Sequence, residues 1–142
     1  MAITGLRSLD RSIIETKEWF REMQQELLYD DEEDAYQALK AVLHVLRDRL
    51  TAEQAANVAA QMPMVLAGVF YDGWSPAGKP EKIRSAEEFI SRVSENLPQD
   101  KDHEADLVIK AAFKTMEDRI TEGELNKIRS NLPDDFEEFF EV

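Results

Sequence analysis

Side chains able to do chemistry are few in type here. His44 and His103 are the only histidines in 142 residues, and there is no cysteine. Neither histidine stands in a His-x-x-x-His or Glu-x-x-His spacing, which would send two ligands from one helical face to a metal; both are expected to face solvent. Without cysteine there is no thiolate ligand, no cysteine nucleophile and no disulfide framework. The densest set of hard oxygen donors is Asp30-Asp31-Glu32-Glu33-Asp34, a composition that could hold Ca²⁺ or Mg²⁺. Counted from Asp30, however, an EF-hand loop would need Gly where Ala35 stands and Glu where Ala41 stands. The run Asp100-Lys101-Asp102-His103-Glu104 fails at the same two places. These acids are expected to flank a helix N-terminus, where the macrodipole favours negative charge. No Gly-x-Ser-x-Gly elbow is present, and Gly73 and Gly78 do not build a phosphate-cradling loop with a following lysine and hydroxyl. The sequence therefore predicts no catalytic residue, no cofactor-binding residue and no metal ligand.

Binding remains as the chemistry to look for, and it points to Tyr71, Gly73, Trp74 and Pro76. Two aromatic rings around a glycine at a helix end, held by a following proline, put large amphipathic surfaces on a constrained loop, as binding anchors often are. The competing expectation is that Trp74 folds back to seal the junction between two halves of the chain, its indole N–H on a backbone carbonyl. Asp48-Arg49 and Asp118-Arg119 recur, and read as an ion pair or carbonyl cap near a helix C-terminus.

The elements that must position these residues follow from a repeat. A constant shift of 70 residues aligns most of the chain on itself, pairing Lys40-Ala41 with Lys110-Ala111, Asp48-Arg49-Leu50-Thr51 with Asp118-Arg119-Ile120-Thr121, and Pro63 with Pro133. The expected organisation is a single domain over 1–142, with a first helical repeat at 7–72, a linker loop at 73–83 and a second repeat at 84–142. Apolar spacing is helical throughout. A first helix carries Leu6, Leu9, Ile13, Phe20, Met23 and Leu27, matched by Ala86, Phe89, Ile90, Val93 and Leu97. A second carries Ala35, Leu39, Val42 and Leu46, matched by Ala105, Ile109, Ala112 and Met116. Ser85 with Glu88, Thr51 with Gln54 and Thr121 with Glu124 have the spacing of capping boxes. Pro63 and Pro133 suit the first turn of a fourth helix. No stretch alternates with period two. The fold class expected is all-α, two tandem repeats of about four helices each, packed as one pseudo-two-fold helical domain. The copies differ most in that fourth helix: Pro63 to Tyr71 is apolar on all sides, whereas Pro133 to Glu141 is amphipathic with acids at its start. An all-round apolar helix has to be covered on every side, so the first is expected to lie between the repeats or under another chain.

Thirty Asp and Glu against seventeen Lys and Arg give a formal charge of −13, the wrong sign for nucleic acid or an anionic membrane surface. The longest apolar run is about half of the roughly 20 residues of a membrane span, and the first residues lack an apolar signal core, so a soluble, cytoplasmic protein is expected. The run Leu46-Arg47-Asp48-Arg49-Leu50-Thr51, then Gln61-Met62-Pro63, then Val69-Phe70-Tyr71-Asp72-Gly73-Trp74-Ser75-Pro76 resembles the bacterial family called domain of unknown function 2267. Asn131-Leu132-Pro133 followed by Phe139-Phe140 is similar to that family's ending. The resemblance implies a helical bacterial protein and supplies no reaction, no cofactor and no catalytic residues. The function expected is a non-enzymatic helical interaction module, acting on a protein partner or on a second copy. The alternative is a small-molecule-binding protein or enzyme with a pocket between the repeats.

Overall fold

Capping side chains start four of the seven α-helices in the computed structural model, which describes residues 3–140. Among these residues every regular element is helical: α1 (Arg7–Leu27), α2 (Glu32–Arg49), α3 (Ala52–Ala59), α4 (Met64–Tyr71), α5 (Ala86–Asn96), α6 (Ala105–Arg119) and α7 (Glu122–Ser130). A 3₁₀ turn, Asp102–Glu104, runs into α6, and a second 3₁₀ helix spans Asp134–Phe140. At the start of α2 the Asp31 carboxylate accepts from the Glu33 amide, and Glu32, Glu33 and Asp34 fill the first turn. The acidic run is thus a helix flank, serving orphan amides and the macrodipole together. Thr51 and Gln54 make a reciprocal capping box on α3. The other two boxes are half made. Ser85 accepts from the Glu88 amide while the Glu88 carboxylate reaches the Arg84 amide instead. Thr121 accepts from the Glu124 amide, but its own amide points to Gln61 Oε1 of the α3–α4 turn at 3.5 Å.

Two helices lie at the centre. Helix α2 packs on α1, α4, α5 and α6, and α6 packs on α1, α2, α5, α7 and the C-terminal 3₁₀ helix. Ala35, Leu39, Val42 and Leu46 are buried as the spacing predicts, and so are Ala105, Ile109, Ala112 and Met116. Small residues at Ala38, Ala41 and Ala111 are buried as well, so neighbours approach from more than one side. The second half of the chain adds an aromatic cluster: Phe89 lies 5.0 Å from Phe136, 6.0 Å from Phe139 and 6.1 Å from Phe113. Mostly edge-on or tilted packing of this kind adds about 0.5 to 1.5 kcal/mol per pair beyond the area buried. One continuous set of buried side chains runs from Trp19 to Phe139.

Three expectations are corrected. Helix α4 does not lie between the two halves: only Leu66 and Phe70 are fully buried, and it packs on α1 and α2 at the periphery, so of the two covers expected for it the one inside the chain is not found. An eight-residue helix laid on two neighbours has room to bury one i, i+4 row; Ala67, Val69 and Tyr71 flank that row half-buried against the core, and Met64 and Gly68 are exposed. In α1 the buried row is Ser12, Thr16, Trp19 and Met23, to one side of the predicted stripe; Leu6 is the exposed N-cap residue, and Phe20 sits at the margin, edge-on to Tyr36 at 5.3 Å. The residues after Pro133 form a 3₁₀ helix rather than an α-helix. With three residues per turn Phe136 and Phe139 fall on one line, and both are buried. Asp135 does not serve its own helix; its Oδ2 accepts from the Ala86 amide at the start of α5, 2.9 Å away. Glu141 lies outside the described residues. Among the described residues no helix is long and apolar enough to cross a membrane.

Candidate interaction surface

Helix α4 is held at both ends by polar groups from α1 and α2. At its N-terminal end the Val65 amide donates to Ser12 Oγ of α1 at 2.8 Å, one of the four amides a helix start leaves without an internal partner. At its C-terminal end α2 presents His44 and Arg47, one turn apart. His44 Nε2 lies 2.7 Å from the Val69 carbonyl, and Arg47 donates through one guanidinium nitrogen to the carbonyls of Phe70 (3.0 Å) and Asp72 (2.8 Å). Burial pushes the His44 pKa below its usual 6.5, with Arg47 and Lys40 adding repulsion; the bond to Val69 opposes the shift and does not reverse it. His44 is therefore a half-buried structural residue, not the solvent-facing one expected, while His103 is exposed as expected.

Arg47 is neutralised by Asp48, 2.9 Å from its Nε, and Asp48 is also approached by Lys79 from the loop after α4, at 3.8 Å. Lys79 and Arg92 share Glu81. Burial raises the Glu81 pKa, but the bonds to Arg92 and Lys79 outweigh it and hold the carboxyl below its usual value. Arg49 turns the other way and donates to the carbonyls of Ile83 (2.9 Å) and Asn131 (3.2 Å). The expected carbonyl cap is real, although the carbonyls belong to distant segments. The roles of Arg47 and His44 were missed in the sequence; two polar residues spaced i, i+3 around the apolar pair Val45-Leu46 were the signal.

The outward face of α4 carries Met64, 60% exposed, Gly68, exposed, and Tyr71, half-buried, spaced i, i+4, i+7 along one helical line. Met64 shares a surface depression with Leu6 and Arg7, and Leu6 and Ile3 are themselves exposed. At the other end the Tyr71 ring meets Trp74 edge-on, centroids 5.5 Å apart, and the Trp74 amide donates to the Tyr71 carbonyl at 2.9 Å. Gly73 makes that turn possible with φ +78°, a conformation costly for side chains with a Cβ. Pro76 is exposed. Tyr71, Gly73, Trp74 and Pro76 thus stand together at one end of an apolar strip. Trp74 is half-buried, but its Nε1 has no hydrogen-bond partner, so the carbonyl bond expected for a sealing tryptophan is not made.

A second region lies between α1 and α6. A cleft of about 490 Å³ has Leu27, Ala111, Phe139 and Phe140 among its lining, with Leu28, Leu107, Lys110 and Lys114 beside them. Further along the same seam Arg119 binds Glu22 at 2.9 Å and Glu18 at 3.7 Å. Burial and the neighbouring Asp118 carboxyl raise the Glu22 pKa to about 7 against the pull of Arg119. Among the described residues no three His, Asp or Glu side chains gather as a metal-binding set.

A family model described as "Uncharacterized conserved protein (DUF2267)" matches residues 16–139. No curated protein matches the chain.

Proposed function

Because the chain belongs to the DUF2267 family, whose description carries no activity to transfer, we propose from its surface that it is a non-enzymatic helical interaction module. It acts through the outer face of α4 and the segment from Tyr71 to Pro76, on a protein partner or on itself. The observation behind this is the strip of Met64, Gly68 and Tyr71 on α4, continued by Leu6 at one end and Trp74 at the other: Leu6, Met64 and Gly68 are exposed and the two rings half-buried, on a helix whose other side and both ends are fastened. Exposed apolar surface of this kind marks interaction sites. The charge of −13 argues against nucleic acid and anionic membrane as the partner. A bacterial, cytoplasmic setting belongs to the same proposal and rests on the family resemblance.

Two copies of one unit, 7–72 and 84–142 with a linker at 73–83, in one pseudo-two-fold domain, complete the reading. Element starts recur after 70 positions in its support: Ala52 and Glu122, Met64 and Asp134. So does the exchange of contacts, α1 on α6 and α5 on α2. The test is affinity capture from a lysate of the source organism with wild type, Trp74→Ala and Met64→Glu, each shown to be folded by circular dichroism. A protein retained by wild type and lost by both variants is expected; equal catches refute the site. The alternative, a small-molecule site between the halves, is favoured by the 490 Å³ cleft, whose apolar floor is bordered by Glu26, Glu104, Lys110, Lys114 and Glu117, polar groups of the kind that orient a ligand. A compound that raises the melting temperature of wild type and not of Leu107→Glu would select it.

A further inference from the structure

We propose that the outer face of α4 is a two-fold contact with a second copy of this chain, α4 lying antiparallel on its counterpart and Arg7 of each copy meeting Asp72 of the other. This names an occupant for the surface already read as an interaction site, and rests on that reading.

Gly68 is the first reason. It sits inside α4, has no positive φ to require it, and a Cβ built on it would meet nothing within 4 Å. Glycine is the least favourable helix-interior residue after proline, so within one copy it serves neither conformation nor packing. On a contact face it lets two helix backbones come close.

Charge at the two ends of the strip is the second. Arg7 stands at the Met64 end, and Asp72 is the C-cap residue at the other. Among the described residues neither side chain has an ion-pair partner. An eight-residue helix is about 12 Å long, so a two-fold axis through Gly68 brings each end of one copy over the opposite end of the other. Met64 then lies on the Tyr71 and Trp74 rings, a favourable thioether–aromatic contact, and Arg7 reaches Asp72 twice. Parallel pairing would set Arg7 on Arg7 and Asp72 on Asp72. The antiparallel contact is isologous and closes at two copies, so it does not propagate into fibres.

The face is small, so the dimer is weak, with a dissociation constant of about 1 to 100 µM. Sedimentation velocity on the full chain from about 1 to 300 µM reads it directly. Wild type is expected to pass from 16.3 kDa to twice that mass with rising concentration. Gly68→Gln is expected to stay monomeric at every concentration while melting no lower than wild type, and Met64→Glu, at a side chain with little packing to lose, to do the same. Arg7→Asp and Asp72→Arg should each weaken the dimer about tenfold or more, and the two together should restore it. A wild type monomeric throughout, a Gly68→Gln that pairs normally, or reversals without effect would overturn the proposal. A monomeric wild type whose Met64→Glu variant still loses a captured protein from lysate refutes the second copy alone; equal catches refute the interaction surface itself.

Discussion

Replacing Arg47 with methionine tests whether α2 holds α4 in place. Methionine keeps an unbranched apolar stem in a site only 5% exposed and removes every donor. The Phe70 carbonyl loses a charged donor at 3.0 Å in buried surroundings, a loss of about 2 kcal/mol. The Asp72 carbonyl, at 2.8 Å, is part-buried and recovers some of its bond from water, leaving about 0.5 to 1 kcal/mol. Asp48 is left with Lys79 at 3.8 Å and loses about 0.5 kcal/mol. The sum is about 3 kcal/mol, at the lower edge of what one-sided removal from a buried pair costs. For a chain of this length that is a fall of about 10 °C in Tm. Urea unfolding followed by circular dichroism gives the free energy, and amide exchange locates it: α4 amides should lose protection before those of α2 and α6. Arg47→Lys, with a charge and no fork, should fall between. A loss below about 1 kcal/mol, or protection lost evenly over all helices, would refute the clamp.

Further predictions concern titration and backbone conformation. The raised Glu22 pKa, about 7 against 4.5, means that the folded chain holds a proton the unfolded chain has released. Stability contributed by this group is present below pH 4.5, falls as the pH rises to 7 and stays low above it; Glu22→Gln should be more stable than wild type at pH 8 and equal to it near pH 4.5 in urea titrations. His44 has the opposite slope: its pKa is lowered, so the folded state excludes a proton, and stability is complete above 6.5 and declines as the pH falls below it. His44→Gln should lose less stability than wild type between pH 7.5 and 5.5. Leu28 closes α1 in the left-handed region at φ 57° with 87% of its surface exposed; Leu28→Gly should raise stability by about 1 kcal/mol, since strain is relieved and little packing is lost.

What the sequence revealed depended on periodicity. Leu39, Val42 and Leu46 recur at helical spacing along a helix that is buried, and Thr51-Gln54 carries its cap within four residues; both are local and legible. The orientation of α4 was not. Its eight residues are all apolar or glycine, so composition gave no sign of which side would be left without a neighbour. The seat of Trp74 is set by a loop with no period. His44 and Arg47 bond to carbonyls more than twenty positions away, and only their place beside the apolar residues Leu43, Val45 and Leu46 hinted at that. Phe136 and Phe139 differ by three positions, which fits a 3₁₀ helix as well as one turn of an α-helix, and the tighter form won because both rings then enter the Phe89 cluster.

The crossing of α1 onto α6 and of α5 onto α2 has a consequence for how the chain can be divided. Cut in the exposed loop after Gly78, it would yield two fragments, each presenting to water the apolar rows that the other covers. Each fragment should be unfolded or aggregated alone, and mixing them should restore helicity through complementation, with Arg49 regaining the Asn131 carbonyl and Lys114 regaining Glu26. Neither half could be shed, recombined or traded as a module, because each carries part of the other's interior.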